Sequence, residues 1–361
     1  MKYFGLVAAF LFFASASNSQ ATEETVDLEK ENAPASTTAH PNGGRQGSGG
    51  LSIMGRVDLT SDYGAGNPVG TTNGDSTKYE KLTNNHFFLF LKAKPSERVS
   101  FMGEFVGQNF FTVDFEATKS LSISFGKILI PFGDTRYFHH FYGGIAGYGA
   151  TSGIMLPNIW SAPGFSLGWK WSNMKFDTYV VQTLGQDAGA TDPVSINSSS
   201  ATSNRRQAAG LRSSFSPLDR VGIILSAYHG DYTPSVPLTI GGFDINAEYG
   251  AIPWGVLKHL RFSYGVANAW LKTVVQGIDY EKRGDYAVIG TNYLNPVEIR
   301  VRYGTYLNDT RAKSQFDVHN FNLGVNFPVD VLRVLLEYQL NYEAANEVEN
   351  DVARVMVSLD F

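Results

Sequence analysis

Few residues in this chain could make or break a bond. His139 and His140 are adjacent, but neighbouring histidines on a loop point apart, and neither Cys nor an acidic cluster joins them at ligand spacing. No metal site or cofactor is expected. Gly164-Phe165-Ser166-Leu167-Gly168 fits the Gly-x-Ser-x-Gly pattern of a nucleophile elbow. That device needs a strand-to-helix turn, and here the run opens a strand with no helix behind it. There is no P-loop and no His-Glu-x-x-His. His259 or His319 beside a strand serine is the remaining hydrolytic arrangement, and both histidines read more simply as strand or turn residues. What is left is charge: Arg56, Arg300, Arg302, Arg333 and Arg354, with Lys127, Asp134 and Arg136 between them in sequence. Such groups can shape the field that a passing solute meets. No enzyme activity is expected.

These charges sit on segments of period two. Leu51, Ile53, Val57 and Leu59 alternate with Ser52, Arg56, Asp58 and Thr60. Val297, Ile299, Val301 and Tyr303 face away from Glu298, Arg300 and Arg302. Leu332, Val334, Leu336, Tyr338 and Leu340 face away from Arg333, Glu337, Gln339 and Asn341. Strict alternation is the signature of a strand with one apolar and one wet face. Strands are expected near 51–61, 84–94, 98–106, 110–117, 121–132, 164–171, 174–184 and 205–215. They continue at 219–230, 238–249, 257–270, 284–293, 297–307, 316–327, 330–343 and 351–361. That makes about sixteen, an even number as single-chain bacterial barrels have.

The connections sort by parity. After even-numbered strands they are tight, as at Pro95-Ser96-Glu97, Thr118-Lys119-Ser120, Ser172-Asn173 and Pro328-Val329. After odd-numbered strands they are mostly longer, at 62–83, 133–163, 185–204, 231–237, 271–283, 308–315 and 344–350. Two break the pattern, the short Gly107-Gln108-Asn109 and the longer 250–256. A barrel with external loops and periplasmic turns produces this alternation, whereas a sandwich has no reason to. The fold expected is therefore all-β, a transmembrane antiparallel up-and-down barrel.

The front of the chain suits export. Lys2 and the apolar run Phe4 to Ala14 read as a signal peptide, with cleavage after Ala21. Residues 22–50 are acidic and then rich in Ala, Pro, Ser, Thr and Gly, a flexible periplasmic leader before a barrel at 51–361. No segment is long and apolar enough for a membrane helix. Cysteine is absent, aromatics reach 13% and only 17% of residues are charged. Mean hydropathy is nonetheless slightly below zero, as a barrel allows, because only alternate strand residues meet lipid. A net charge of −5 argues against a nucleic-acid partner.

The closing strand carries Ala353, Val355, Val357, Leu359 and Phe361 on one face and stops at the aromatic residue. That ending resembles outer-membrane barrels. The connection 133–163 follows the fifth strand and begins Gly133-Asp134-Thr135-Arg136-Tyr137-Phe138-His139-His140, with Trp160 near its end. Together these features resemble a Gram-negative porin of the sixteen-stranded kind, in which the third external loop folds inward to narrow the pore. Gly126-Lys127-Ile128-Leu129-Ile130-Pro131-Phe132-Gly133 is also similar to the Gly-x-x-x-x-Pro-Phe-Gly run of phosphate-selective and related porins. The resemblance covers 51–361 as architecture, but only this run and Phe361 as motif.

The resemblance implies a water-filled channel for passive diffusion of small hydrophilic solutes, a homotrimer, and contact with outer-membrane lipid and lipopolysaccharide. The residues expected at the pore wall or constriction are Arg56, Lys127, Asp134, Arg136, His139, His140, Arg300, Arg302, Arg333 and Arg354. Arg56, Arg333 and Arg354 fall on strands that become neighbours when the last closes on the first, which hints at a weak preference for anions. Tyr137, Phe138, Phe141 and Tyr142 would pack the loop against the wall. Two other readings stay open. One is a substrate-selective channel for phosphate, another anion or an iron chelate; the other is a non-conducting barrel such as an adhesin.

Overall fold

The computed structural model of the chain describes residues 50–65, 78–105, 110–134, 156, 160–182, 207–233, 236–272, 279–307, 310–311, 317–329, 332–343 and 351–361. The signal-peptide and leader expectations lie outside them, Gly50 apart. Sixteen strands form one closed antiparallel sheet, each paired with its neighbours in sequence and the last with the first. They are Leu51–Ala65 (β1), Lys78–Ser96 (β2), Val99–Glu104 (β3), Phe111–Thr118 (β4), Leu121–Leu129 (β5), Ser161–Trp171 (β6), Met174–Gln182 (β7) and Gln207–Leu218 (β8). The remainder are Val221–Thr233 (β9), Val236–Ala247 (β10), Leu260–Lys272 (β11), Asp279–Thr291 (β12), Glu298–Leu307 (β13), Val318–Val329 (β14), Leu332–Glu343 (β15) and Val352–Asp360 (β16). Among the described residues no helix is long and apolar enough to cross a membrane; strands do it instead. Closure pairs both edges of the sheet, which a membrane demands because lipid offers backbone groups no hydrogen bonds.

Alternation decides the two faces. On β16, Val355 is outward and 44% exposed, while Met356 and Ser358 point inward and are buried. Leu323, Leu336, Ile289 and Phe262 are likewise exposed on the outer wall. Such an apolar band, on a barrel without free edges, places the chain in a bacterial outer membrane. Trp169 and Trp171 stack at 6.5 Å on the outer face beside the tight β6–β7 turn, at the level of an interfacial girdle.

The seam explains the terminal aromatic residue. Gly55 and Phe361 exchange both backbone hydrogen bonds, at 2.8 and 3.0 Å. The Phe361 ring lies across Gly55, where a Cβ would come within 2.2 Å of it, and stacks on Phe87 at 6.4 Å. Only a residue without a side chain leaves the ring that berth.

Several boundaries differ from expectation: β1 runs on to Ala65, β2 starts at Lys78, β6 at Ser161 and β12 at Asp279. β5 ends at Leu129, because the chain leaves the wall there. The longer connection expected at 231–237 shrinks to two residues, since β9 runs to Thr233 and β10 starts at Val236. β11 starts at Leu260, because Gly255–His259 forms a 3-10 turn after Pro253 and the extended Trp254. That turn accounts for the long connection between β10 and β11, where parity calls for a short one.

Candidate pore constriction

After Leu129 the chain turns into the barrel. The Ile130 N–H donates to the Trp160 carbonyl at 2.8 Å, so the two ends of the long connection run side by side. The Phe132 and Trp160 rings pack at 5.3 Å, and Trp160 packs on Tyr228 of β9 at 5.1 Å. The peptide groups that follow are held by side chains of the wall. The Gly133 N–H donates to Ser226 Oγ of β9 at 2.8 Å, and Arg212 Nε of β8 donates to the Gly133 carbonyl at 3.0 Å. Asn246 Nδ2 of β10 donates to Asp134 Oδ2 at 3.1 Å, and the Asp134 N–H bonds to the Asp244 carboxylate. These strands stand three to five places from β5, about 14–24 Å round the wall at ~4.8 Å per strand. A chain leaving β5 reaches them within five residues only by crossing the lumen.

The crossing is sealed by apolar packing. Ile128, Ile130, Phe132, Leu156 and Trp160 form one buried cluster with the inward residues of β7–β11, among them Tyr179, Val181, Tyr228, Ile240 and Ala269. Asp244 is braced from the far side by the Tyr286 hydroxyl of β12, which donates to it at 2.9 Å. Gly265 lies between them in the register, and a Cβ there would fall 2.3 Å from the carboxylate and 2.5 Å from the phenol ring. Its missing side chain is the gap through which the bond is made.

From β13 round to β1 the inner wall is mostly polar, with Val318, Leu335, Val352 and Met356 among its buried inward residues. Near the turns, Glu298 is held by Arg261 and Arg300, each at 2.8 Å, and by the Tyr249 hydroxyl at 2.7 Å. Burial pushes the Tyr249 phenol above its ordinary range, and the neighbouring Glu298 charge adds to the rise. Arg302 Nη2 donates to Asn320 Oδ1 at 3.0 Å, and Gln339 donates to Asn341 at 2.9 Å. Asn322, with its amide turned to face Glu337, donates to Glu337 Oε1 at 2.9 Å. Ser358 donates to Asp58 across the seam at 2.6 Å.

Arg300, Arg302, Arg333, Arg354 and Arg56 all lie on the lumen face of this wall. The register spreads the seam arginines along it. Arg56 stands opposite Asp360, Arg333 opposite Ser358, and Arg354 opposite Glu337. Adjacent strands therefore do not bring Arg56 and Arg354 to one level, and acids lie in the arginine rows. Lys127 corrects the expectation outright. It pairs with Phe111 and Pro163, on the same side as the exposed Phe125 and Phe165, and so belongs to the outer wall. Asp134 is inside, but it is bonded to β10 and 3% exposed, so it pins the crossing and does not face the arginines. Arg136, His139 and His140, with Tyr137, Phe138, Phe141 and Tyr142, lie outside the described residues. Ser166 sits inside β6 opposite Ser124 and Tyr179, with no elbow around it.

Sequence reasoning missed Arg212, Ser226, Arg261 and Tyr286. The inner face of β7–β11 is itself apolar in part, because the crossing chain covers it, so alternation is blurred where these residues lie. Only the Pro-Phe-Gly-Asp turn after an apolar strand marked the place from the other side.

The fold is that of the sixteen-stranded porins of Gram-negative outer membranes. A structure of Salmonella typhi OmpF in complex with daunomycin superposes with a TM-score of 0.59 at 12% identity, covering 87% of this chain and 98% of that one. The anion-selective porin of Comamonas acidovorans gives 0.55 at 13% identity over 86% and 99% of the two chains. OmpT of Vibrio cholerae gives 0.56 at 9% over 88% and 99%. No family model matches the chain, and no curated protein is similar to it in sequence. At these identities the likeness is one of fold.

Proposed function

We propose that this barrel is an outer-membrane porin that lets small hydrophilic solutes diffuse passively, without a chemical step. One observation carries the reading: the chain after β5 crosses the lumen and docks on the inner face of β7–β11, while the wall from β13 to β1 stays mostly polar. The path proposed runs between the docked segment on one side and that wall on the other, and the close packing of the wall's inward side chains makes it narrow. Its selectivity comes from width and from fixed charge. Acids share the arginine rows on the polar wall, as Asp360 does opposite Arg56 and Glu337 opposite Arg354, so any preference for anions is mild, with Arg56, Arg300, Arg302, Arg333 and Arg354 setting it. Homotrimeric assembly is part of the proposal; OmpT of Vibrio cholerae, folded in vitro, was solved in a trimer form.

Swelling of liposomes that contain the refolded protein tests this, with sugars of increasing size as solutes. Rates should fall smoothly with solute size, without saturation. A folded protein that passes not even the smallest sugar would refute the channel, and saturation by one solute would favour the substrate-selective alternative.

A further inference from the structure

The lumen face of β1–β3 is apolar where a wall that meets water is expected to be polar. Leu51, Ile53, Phe87 and Phe105 are exposed on the outer side, so alternation turns Met54, Phe90 and Met102 inward. Met54 stands opposite Phe90, and Met102 stands opposite Lys92. Phe90 stacks on Phe110 at 6.0 Å, and both rings are buried. Met54, Met102 and Leu129 pack on that pair and remain only partly buried. Leu129 is the last residue of β5, so the patch reaches the place where the chain enters the lumen. Packing accounts for the two rings, but it leaves part of each methionine on the open side.

Cations frame this patch. Lys92 and Lys94 follow Phe90 on the same face of β2, Lys94 being exposed, and Arg56 follows Met54 on β1. Two acids share the area, and the wall takes up both. Glu104, opposite Phe90, is 5% exposed, and Asp114 of β4 accepts a hydrogen bond from Ser124 of β5. Methionine side chains are unbranched and polarisable, and they fit irregular apolar bodies, rings above all. An apolar floor with a few charged groups at its margin is the usual make-up of a small-molecule site. The solute that matches both parts carries a ring and a negative charge.

We propose that Met54, Phe90 and Met102, with Lys92 and Arg56 beside them, form a subsite for small aromatic carboxylates on the lumen wall. Its part in transport rests on the channel reading above, whereas binding is measurable without flow. The probes are benzoate, acetate and benzyl alcohol, which carry ring and charge, charge alone and ring alone. Ligand-observed NMR on the full refolded barrel in detergent reads binding directly, and bilayer current with benzoate in one chamber reads it in the open channel. Benzoate should bind saturably, with acetate and benzyl alcohol about tenfold weaker. Met54→Gln with Met102→Gln should weaken benzoate about fivefold to tenfold and leave acetate unchanged. Lys92→Gln should bring benzoate down towards benzyl alcohol. Equal benzoate binding by the folded methionine double variant would overturn the assignment, and so would benzyl alcohol bound as tightly as benzoate. A lower melting temperature with benzoate binding intact would reduce the patch to packing and overturn it too. Saturable benzoate binding without any current would refute the channel and leave the subsite standing.

Discussion

Releasing the lumen crossing should make the channel wider and noisier, by an amount that the contacts set. In Arg212→Ala with Ser226→Ala, the Gly133 peptide loses a charged donor on its carbonyl and an acceptor for its N–H. Such bonds contribute about 2 and about 1 kcal/mol, so the docked state weakens by roughly 3 kcal/mol, ~150-fold in population. Asp177 keeps Lys175 at 3.1 Å when Arg212 is lost, so the wall is not left with a bare acid. Phe132 and Trp160 remain buried, and at about 2–3 kcal/mol each they hold the segment in place most of the time. The expected phenotype is frequent brief excursions to higher conductance. Phe132→Ala, which removes one of those buried rings, should add to it, with a loss of about 3–5 kcal/mol at the same site. Single-channel recording in a planar bilayer reads both the step size and the flicker. Traces from both variants matching the unmutated protein would refute the idea that this segment bounds the pore.

At the seam, Gly55→Val should hinder closure by displacing the Phe361 ring, at a cost of about 1–3 kcal/mol; adding Phe361→Ala should recover part of the loss in heat-modifiable gel mobility. Gly265→Val should break the bond between Tyr286 and Asp244, lowering the melting temperature more than Tyr286→Phe does, and equal effects would contradict the gap assigned to this glycine. Glu298→Gln leaves Arg261 and Arg300 facing each other without their shared carboxylate and should destabilise by roughly 3–5 kcal/mol, seen as a drop in unfolding midpoint. Tyr249 has a raised pKa in the folded state, so the unfolded chain loses the phenol proton first as pH climbs past about 10. Its contribution is complete below that pH and declines above it, and Tyr249→Phe should flatten the decline in alkaline unfolding curves.

Strands were legible where one face meets lipid and the other meets polar lumen, as in β1, β13 and β15. The alternation there marks both the strand and its orientation, so the arginines of the polar wall could be named in advance. The same rule fails on β9, where Ile223, Ile224 and Leu225 run together because the crossing chain buries the inner face as well. It also failed at Lys127, which shares the outward side of β5 with Leu121, Ile123 and Phe125. A lysine near the end of a strand is easily taken for a lumen residue, yet the pairing with Phe111 and Pro163 turns it outward. The partners of Gly133 could not be read at all, since a bond from β5 to β8–β10 depends on a path through space that no local period records. The seam shows the same limit: neighbouring strands were foreseen, but the register that separates Arg56 from Arg354 was not.

Conductance of the purified, refolded protein in a planar bilayer tests the central claim most directly. The account predicts stable, voltage-independent openings that scale with salt concentration, with a reversal potential in a salt gradient showing a mild preference at most. A barrel that migrates as folded yet never opens would contradict it.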